Sequence, residues 1–310
     1  MNMTTKDILI IGYGPVGRET VALLRARGTP VRVAQRSRPV DLPSGVDFTP
    51  CDILDAASVR AAVTGAKQVA VAVGFEYTGK VWSKLWPIAM QNLLDACAAA
   101  GVRMIFFDNL YIYGPQRLPL VETMALTKMG RKPAARAKIT RMWQADARVK
   151  VAALRAPDFY GPGVLLSHIG ETGLAAIAKG KPAMFVFSPD QPHDFAYVPD
   201  IGRAMVTLLD ADDSAFGQAW HMPCAPTMTT RQILALGAKQ AGVKLRLRTF
   251  PGIVRRMLAL FVPFLRELGE MRFQWDRAYT VDATKWSKHF WSDVTPFETG
   301  VAVTMKSFAD

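Results

Sequence analysis

The sequence predicts an α/β fold built on a doubly wound parallel sheet, and three observations predict it. Ile8–Ile11 is an unbroken apolar run, the pattern of a strand covered on both faces by helices. Gly12, Gly14 and Gly17 follow at once, and Val21, Ala22 and Leu24 then recur at helical spacing before Arg27. Beyond them, short apolar runs alternate with helical patterns, the order of a sheet whose strands are joined by crossover helices.

The glycine turn carries the first functional expectation. Gly12 permits the tight turn, Gly14 lets a pyrophosphate reach the backbone, and Gly17 lets the helix pack close to the strand. With Tyr13, Pro15 and Val16 between them, these residues open a helix whose first N–H groups face the phosphates. The same glycines would also serve a tight strand–helix turn without a ligand, but after a strand and before a helix they read as the dinucleotide site of a Rossmann fold.

Pro30–Ala34 reads as the second strand and ends at Gln35-Arg36-Ser37-Arg38. An acidic residue about 20 positions past the glycines would grip the ribose hydroxyls of NAD. Gln35 stands there instead. A guanidinium from Arg36, with Ser37 beside it, can pair with a 2′-phosphate, which argues for NADP and leaves NAD as the alternative. Arg36 and Arg38 also fit a second reading, as solvated loop charges.

The remaining elements follow in order. Phe48–Ile53 reads as a third strand with Asp52 near its end, and a helix spans Asp55–Val63. Gln68–Val73 is a fourth strand ending at Gly74, and a long helix covers Val81–Ala100. Arg103–Phe107 is a fifth strand running into Asp108-Asn109-Leu110-Tyr111, and Val149–Arg155 a sixth. A helix is expected near Gly173–Ala178 and another from Pro199-Asp200 to Asp210, where proline beside an acid marks a helix start. Ala219–Met222 reads as a last strand, and Thr229 with Gln232 as a capping box for a helix through Gln240.

Residues 1–160, rejoined by 195–223, are expected to form the dinucleotide-binding domain. Residues 161–194 and 224–310 are expected to form a smaller C-terminal α/β substrate domain. Ligands of such sheets bind beyond the carboxyl ends of the strands, so Gly12, Arg36, Asp52, Gly74 and Asn109 should converge.

Composition narrows the partners. With 50% hydrophobic and 21% charged residues in 310, the chain reads as an ordinary soluble globular protein. Cys51, Cys97 and Cys224 are an odd number and widely spaced, which suits a reducing cytoplasm, and the four histidines show no metal-ligand spacing. No apolar run reaches the length of a membrane span, and Ile253–Leu268, broken by charges and Pro263, reads better as a helical cover over a binding cleft than as a membrane-docking helix. The net charge of +12 is scattered and matches no nucleic-acid motif; a phosphorylated cofactor and a small anionic substrate account for part of it. Lys244, Arg246 and Arg248 alternate with Leu245 and Leu247, placing three cations on one face of a strand. That face could hold an anionic substrate, or charge could simply protect an edge strand.

These residues together resemble the extended short-chain dehydrogenase/reductase superfamily, specifically its NAD(P)-dependent epimerase/dehydratase family. The resemblance is carried by the glycine turn, Cys51-Asp52-Ile53, Asn92-Leu93-Leu94-Asp95-Ala96, Tyr113-Gly114, Leu154–Gly163 and His193–Asp200. It implies that Asp52 and Ile53 border the adenine and that Val73 and Gly74 lie along the cofactor. Pro157, Phe159 and Tyr160 would line its nicotinamide end. Homodimers pairing through two long helices, here Val81–Ala100 and Ala134–Ala147, are a further expectation.

The departures bear on catalysis. Family enzymes carry Ser or Thr before the Tyr-Gly pair and a Tyr-x-x-x-Lys on the next helix. Here Asn109 stands in the first place, and Ala134-Ala135-Arg136-Ala137-Lys138 in the second, so the tyrosine is replaced and Lys138 survives to hold the ribose. Ile11 also stands where a longer family pattern has its first glycine. Alanine has no proton to exchange, while Asn109 can donate to a carbonyl oxygen. Tyr111, Tyr113 and Tyr160 are substitute acids on one reading and packed aromatics on another. Lys128, Arg131, Lys132, Arg136 and Arg141 around Lys138 read mostly as a solvated face.

Three functions fit. The leading one is an NADP(H)-binding oxidoreductase with a degenerate Ser/Tyr/Lys site, acting on a small or nucleotide-linked anionic substrate. The alternatives are a catalytically inactive NAD(P)-binding sensor or regulator and a nucleotide-sugar epimerase/dehydratase.

Overall fold

A computed structural model describes residues 7–250, 252, 257 and 260–309. Much of the segment expected to cover a cleft, 253–256 and 258–259, lies outside the described residues. The chain divides into two compact units. The first holds residues 1–112, 131–155 and 201–220, and the second 113–130, 156–200 and 221–310.

The first unit is built on a seven-stranded sheet of strands β1 (Ile8–Ile11), β2 (Val31–Gln35), β3 (Asp47–Pro50), β4 (Gln68–Val71), β5 (Met104–Asn109), β6 (Val151–Ala156) and β11 (Gln218–His221). Their order is β11-β6-β5-β4-β1-β2-β3. β1 lies between β2 and β4 and pairs with both in parallel, Ile8 opposite Val31 on one side and Gln68 on the other. The winding direction therefore reverses beside β1, where an open α/β sheet binds its ligands. All of β1, β4 and β6 is buried, as strands covered by helices on both faces must be.

Helices α1 (Pro15–Ala26), α2 (Ala56–Val63) and α3 (Gly79–Ala100) are close to expectation, with shifts of a few residues at their ends. Their ends are chemically marked. Asp55 caps α2 by accepting from the N–H groups of Ala57 and Ser58, and Thr78 caps α3 by accepting from Val81. Gly101 closes α3 in the left-handed region, where glycine carries no Cβ penalty. The third strand is shorter than predicted and stops at Pro50, so Asp52 and Ile53 sit in the turn before α2. Helix α4 spans Lys132–Ala145, starting two residues before Ala134. Among the described residues no helix is long and apolar enough to cross a membrane.

The second unit is built from short ribbons and helices. β7 (Asp158–Tyr160) pairs in parallel with β10 (Phe195–Tyr197), β8 (Ala183–Phe185) in parallel with β13 (Leu247–Thr249), and β9 (Pro192–His193) antiparallel with β12 (Met228–Thr229). The helix expected near Gly173 begins earlier, as a π-turn over Gly170–Leu174 that continues into Ala175–Ala178. The Thr229–Gln232 capping box forms as read, opening a helix over Thr230–Gln240. That helix packs on the last one, Phe297–Ala309. Trp275 lies at the centre of an aromatic cluster with His168, Phe185, Phe187, His193 and Phe195.

Candidate functional site

The glycine turn between β1 and α1 shows which glycines the fold needs. Gly12 has φ +100°, and a Cβ there would lie 2.5 Å from the carbonyl oxygen of Ala72 at the end of β4. A Cβ on Gly17 would lie 2.1 Å from the carbonyl oxygen of Gly12. Gly14 is different: it is exposed, has φ −76°, and a Cβ would meet nothing within 4 Å. Folding alone would tolerate a side chain there. No side chain caps α1, and its first turn holds no acid. Bare backbone and open space at a helix N-terminus fit a dinucleotide pyrophosphate.

At the carboxyl end of β2, Gln35 is built into this loop. Its Oε1 accepts from the Tyr13 N–H at 3.2 Å, and its Nε2 donates to the Ser37 carbonyl at 2.9 Å. Tyr13 is buried, and the Arg18 guanidinium lies 4.7 Å from the centre of its ring. Arg36, Ser37 and Arg38 are exposed, with Arg38 over the Phe48 ring. Asp52 is exposed and accepts from the Leu54 N–H at 3.0 Å, while the Ile53 carbonyl is held by Asn92 Nδ2 at 3.1 Å. Val73 is half-buried and Gly74 exposed, with open space where its Cβ would be.

The end of β5 holds the next candidates. Asn109 is half-buried, and its Oδ1 accepts from the Tyr111 N–H at 3.1 Å, which orients the Nδ2 end of the amide as the donor. Its own N–H is tied to Asp108 Oδ1 at 2.8 Å. Tyr111 is half-buried and stacked on Trp82.

Around helix α4 most of the basic side chains are solvated as expected, with Lys128, Arg131 and Arg141 exposed, but two of them depart from that expectation. Lys132 and Arg136 are buried, whereas Lys138 is exposed. Arg136 Nε donates to Asp108 Oδ1 at 2.9 Å, its second nitrogen reaches the same oxygen, and its guanidinium lies 4.2 Å from the Trp86 ring centre. Arg155 adds a second cation, with Nε 3.5 Å from Asp108 Oδ2. Lys132 Nζ lies 4.9 Å from the Tyr77 ring centre. A carboxylate and aromatic faces thus replace water around these cations. Lys132 and Arg136 stand four residues apart, the same interval as Ala134 and Lys138, but on the buried face. That interval of four is the sequence signal that marks the inward pair.

The other predicted residues lie in the second unit. Pro157 and Tyr160 are buried and Phe159 half-buried. Tyr160 stacks on Phe297, and burial pushes its hydroxyl well above the usual range. The Tyr113 hydroxyl is 2.7 Å from His221 Nε2 in a buried contact. Between Phe159 and Pro157, Asp158 Oδ2 lies 3.1 Å from His193 Nε2, while His193 Nδ1 faces the Gln274 carbonyl at 3.1 Å. Both imidazole nitrogens therefore face oxygen, and a proton must lie between His193 and Asp158. Asp194 Oδ1 accepts from Thr227 and Oδ2 from the Val281 N–H, so this second acid is also bound into the fold.

Comparison with known proteins agrees with this architecture. Solved structures similar over nearly the whole length include the Bordetella bronchiseptica enzyme WbmH in complex with NAD+, at 16% identity and TM-score 0.77, covering 98% of both chains. Thermus thermophilus UDP-glucose 4-epimerase in complex with NAD is 21% identical with TM-score 0.74, and Bacillus cereus UDP-glucuronic acid 4-epimerase in complex with NAD is 16% identical with TM-score 0.78. Each covers 97% of this chain and 98% of its own. At these identities the likeness is one of fold. No curated protein matches the sequence significantly. The family model for NAD-dependent epimerases and dehydratases, however, matches residues 8–221, more than half of the chain, and the protein belongs to that family.

Proposed function

We propose that the protein is an NADP(H)-dependent oxidoreductase acting on a carbonyl or carbinol carbon of a small or nucleotide-linked anionic substrate. The observation that carries this reading is Gln35. A neutral amide, bonded into the glycine loop, stands where a carboxylate would hold NAD and repel a 2′-phosphate, and exposed Arg36, Ser37 and Arg38 follow it. When bound, the nicotinamide supplies or accepts hydride at its C4. The chain contributes Asn109, whose Nδ2 can donate to the substrate oxygen and polarise the carbon–oxygen bond. Exposed Lys138 is assigned to the cofactor ribose.

A second reading, a cofactor-binding regulator without turnover, is favoured by the fate of the tyrosines. Tyr113 is spent on His221, and Tyr160 is buried with its hydroxyl held protonated. One experiment separates the readings. Calorimetry should give at least tenfold tighter binding of NADPH than NADH, and NADPH oxidation should be measured across carbonyl substrates with wild type, Asn109→Ala and Lys138→Ala. Turnover lost in Asn109→Ala, with a raised NADPH Kd in Lys138→Ala, supports the oxidoreductase. Tight NADPH binding without turnover of any substrate supports the regulator, and equal or tighter NADH binding rejects the choice of NADP.

A further inference from the structure

Arg18 stands at an electrostatically awkward place. It is the fourth residue of α1, near the positive end of the helix dipole, where an anion is favoured and a cation is not. Its charge is met by a carboxylate from elsewhere, Asp41, in an ion pair whose two side chains remain 45% and 48% exposed. Asp41 comes from the loop that follows β2, three residues after Arg38.

The loop is shaped to bring it there. The Leu42 N–H donates to the Pro39 carbonyl, closing a turn with Asp41 inside it. Arg25, two helical turns beyond Arg18 on the same side of α1, donates from Nη2 to the Ser44 carbonyl at 2.9 Å. The loop is thus fastened to α1 at two points, and Asp41 is the charged one. The Arg18 guanidinium also rests over the Tyr13 ring, and the Tyr13 N–H is bonded to Gln35. Arg18, Gln35 and the Arg36–Arg38 segment are therefore linked around one spot, the ribose end of the cofactor on the reading above.

We propose that Arg18 is a specificity-determining residue for the cofactor's 2′-phosphate, and that Asp41 is an internal stand-in which the phosphate displaces. This rests on the NADP reading and deepens it. A phosphate monoester carries more charge than a carboxylate and offers three acceptor oxygens to a guanidinium, so it wins the exchange. An exposed ion pair is weak, so releasing Asp41 opposes binding only slightly. Cofactor lacking the phosphate leaves the Arg18–Asp41 pair in place.

The test uses the whole protein and two fragments, 2′,5′-ADP and 5′-AMP, which differ by the phosphate alone. Affinities are measured by calorimetry for wild type, Arg18→Gln, Arg18→Lys and Asp41→Asn, with melting curves to show that each variant is folded. Arg18→Gln should weaken 2′,5′-ADP at least tenfold and leave 5′-AMP within twofold, with partial recovery in Arg18→Lys. Asp41→Asn should tighten 2′,5′-ADP threefold or more without changing 5′-AMP. A ratio of the two affinities unchanged in Arg18→Gln, or 2′,5′-ADP bound no more tightly by Asp41→Asn, overturns the proposal. If wild type binds the two fragments equally, the NADP reading itself fails. If wild type prefers 2′,5′-ADP but Arg18→Gln retains that preference, only the role of Arg18 fails.

Discussion

Arg136 and Asp108 form an ion pair whose side chains are 3% and 0% exposed, sealed beneath the rings of Trp86 and Phe106. Asp108 also accepts from the N–H of Asn109, so the pair that sets the rotation of α4 also fixes the backbone of the proposed carbonyl-polarising residue. With Arg136 turned inward, Lys132 one turn earlier is buried too, and Lys138 is carried to the exposed side.

Replacing Arg136 with Ala should therefore destabilise the protein by up to about 3–5 kcal/mol, the usual cost of breaking a buried ion pair, with Arg155, 3.5 Å from Asp108 Oδ2, left as a partial counter-charge. Arg136→Lys should recover only part of this, because an ammonium cannot reproduce the fork of the guanidinium. Lys138→Ala should stay within about 0.5 kcal/mol of wild type, as exposed substitutions do. Urea unfolding followed by tryptophan fluorescence measures all three. Equal losses for Arg136→Ala and Lys138→Ala would contradict the assigned register.

Ala substitutions in the glycine turn should separate folding from binding. At Gly17 the new Cβ would strike the Gly12 carbonyl oxygen, which is backbone and cannot swing aside, so Gly17→Ala should lower Tm and abolish nucleotide binding together. At Gly14 the Cβ meets open space at an ordinary φ. Gly14→Ala should keep its Tm within about 2 °C of wild type, the shift of a surface substitution, and still lose cofactor affinity about tenfold or more through collision with the pyrophosphate. Unchanged NADPH binding in Gly14→Ala would place the phosphates elsewhere.

Asp158 gives the second unit a specific acid sensitivity. Burial pushes its carboxyl upward, but the hydrogen bond from His193 and the nearby imidazoles outweigh this and hold it below the usual carboxylate range. A carboxyl depressed by folding contributes stability that is complete above its unfolded value, about 4, and disappears as pH falls through the folded one. Wild type should therefore lose Tm more steeply than Asp158→Asn on acidification below about pH 4. At pH 7 the variant should be less stable by about 1–3 kcal/mol, since His193 Nε2 loses a charged partner. Parallel Tm–pH curves for the two proteins would remove Asp158 from the acid response.

Much of this protein was determined by its sequence alone. An apolar strand, three glycines and an amphipathic helix specify the dinucleotide turn, and the Thr229–Gln232 box specifies a helix start, because each depends on backbone conformation and neighbours a few residues away. The inward face of α4 and the neutralisation of Arg18 were decided only by tertiary structure. A basic helix with no acid nearby reads as solvated until Asp108 arrives from β5, 28 positions earlier. Arg18 likewise meets its carboxylate only once the loop after β2 has folded back onto α1. Periodicity records what a residue does with its near neighbours, whereas charge compensation at these two sites comes from chain that only the sheet brings close.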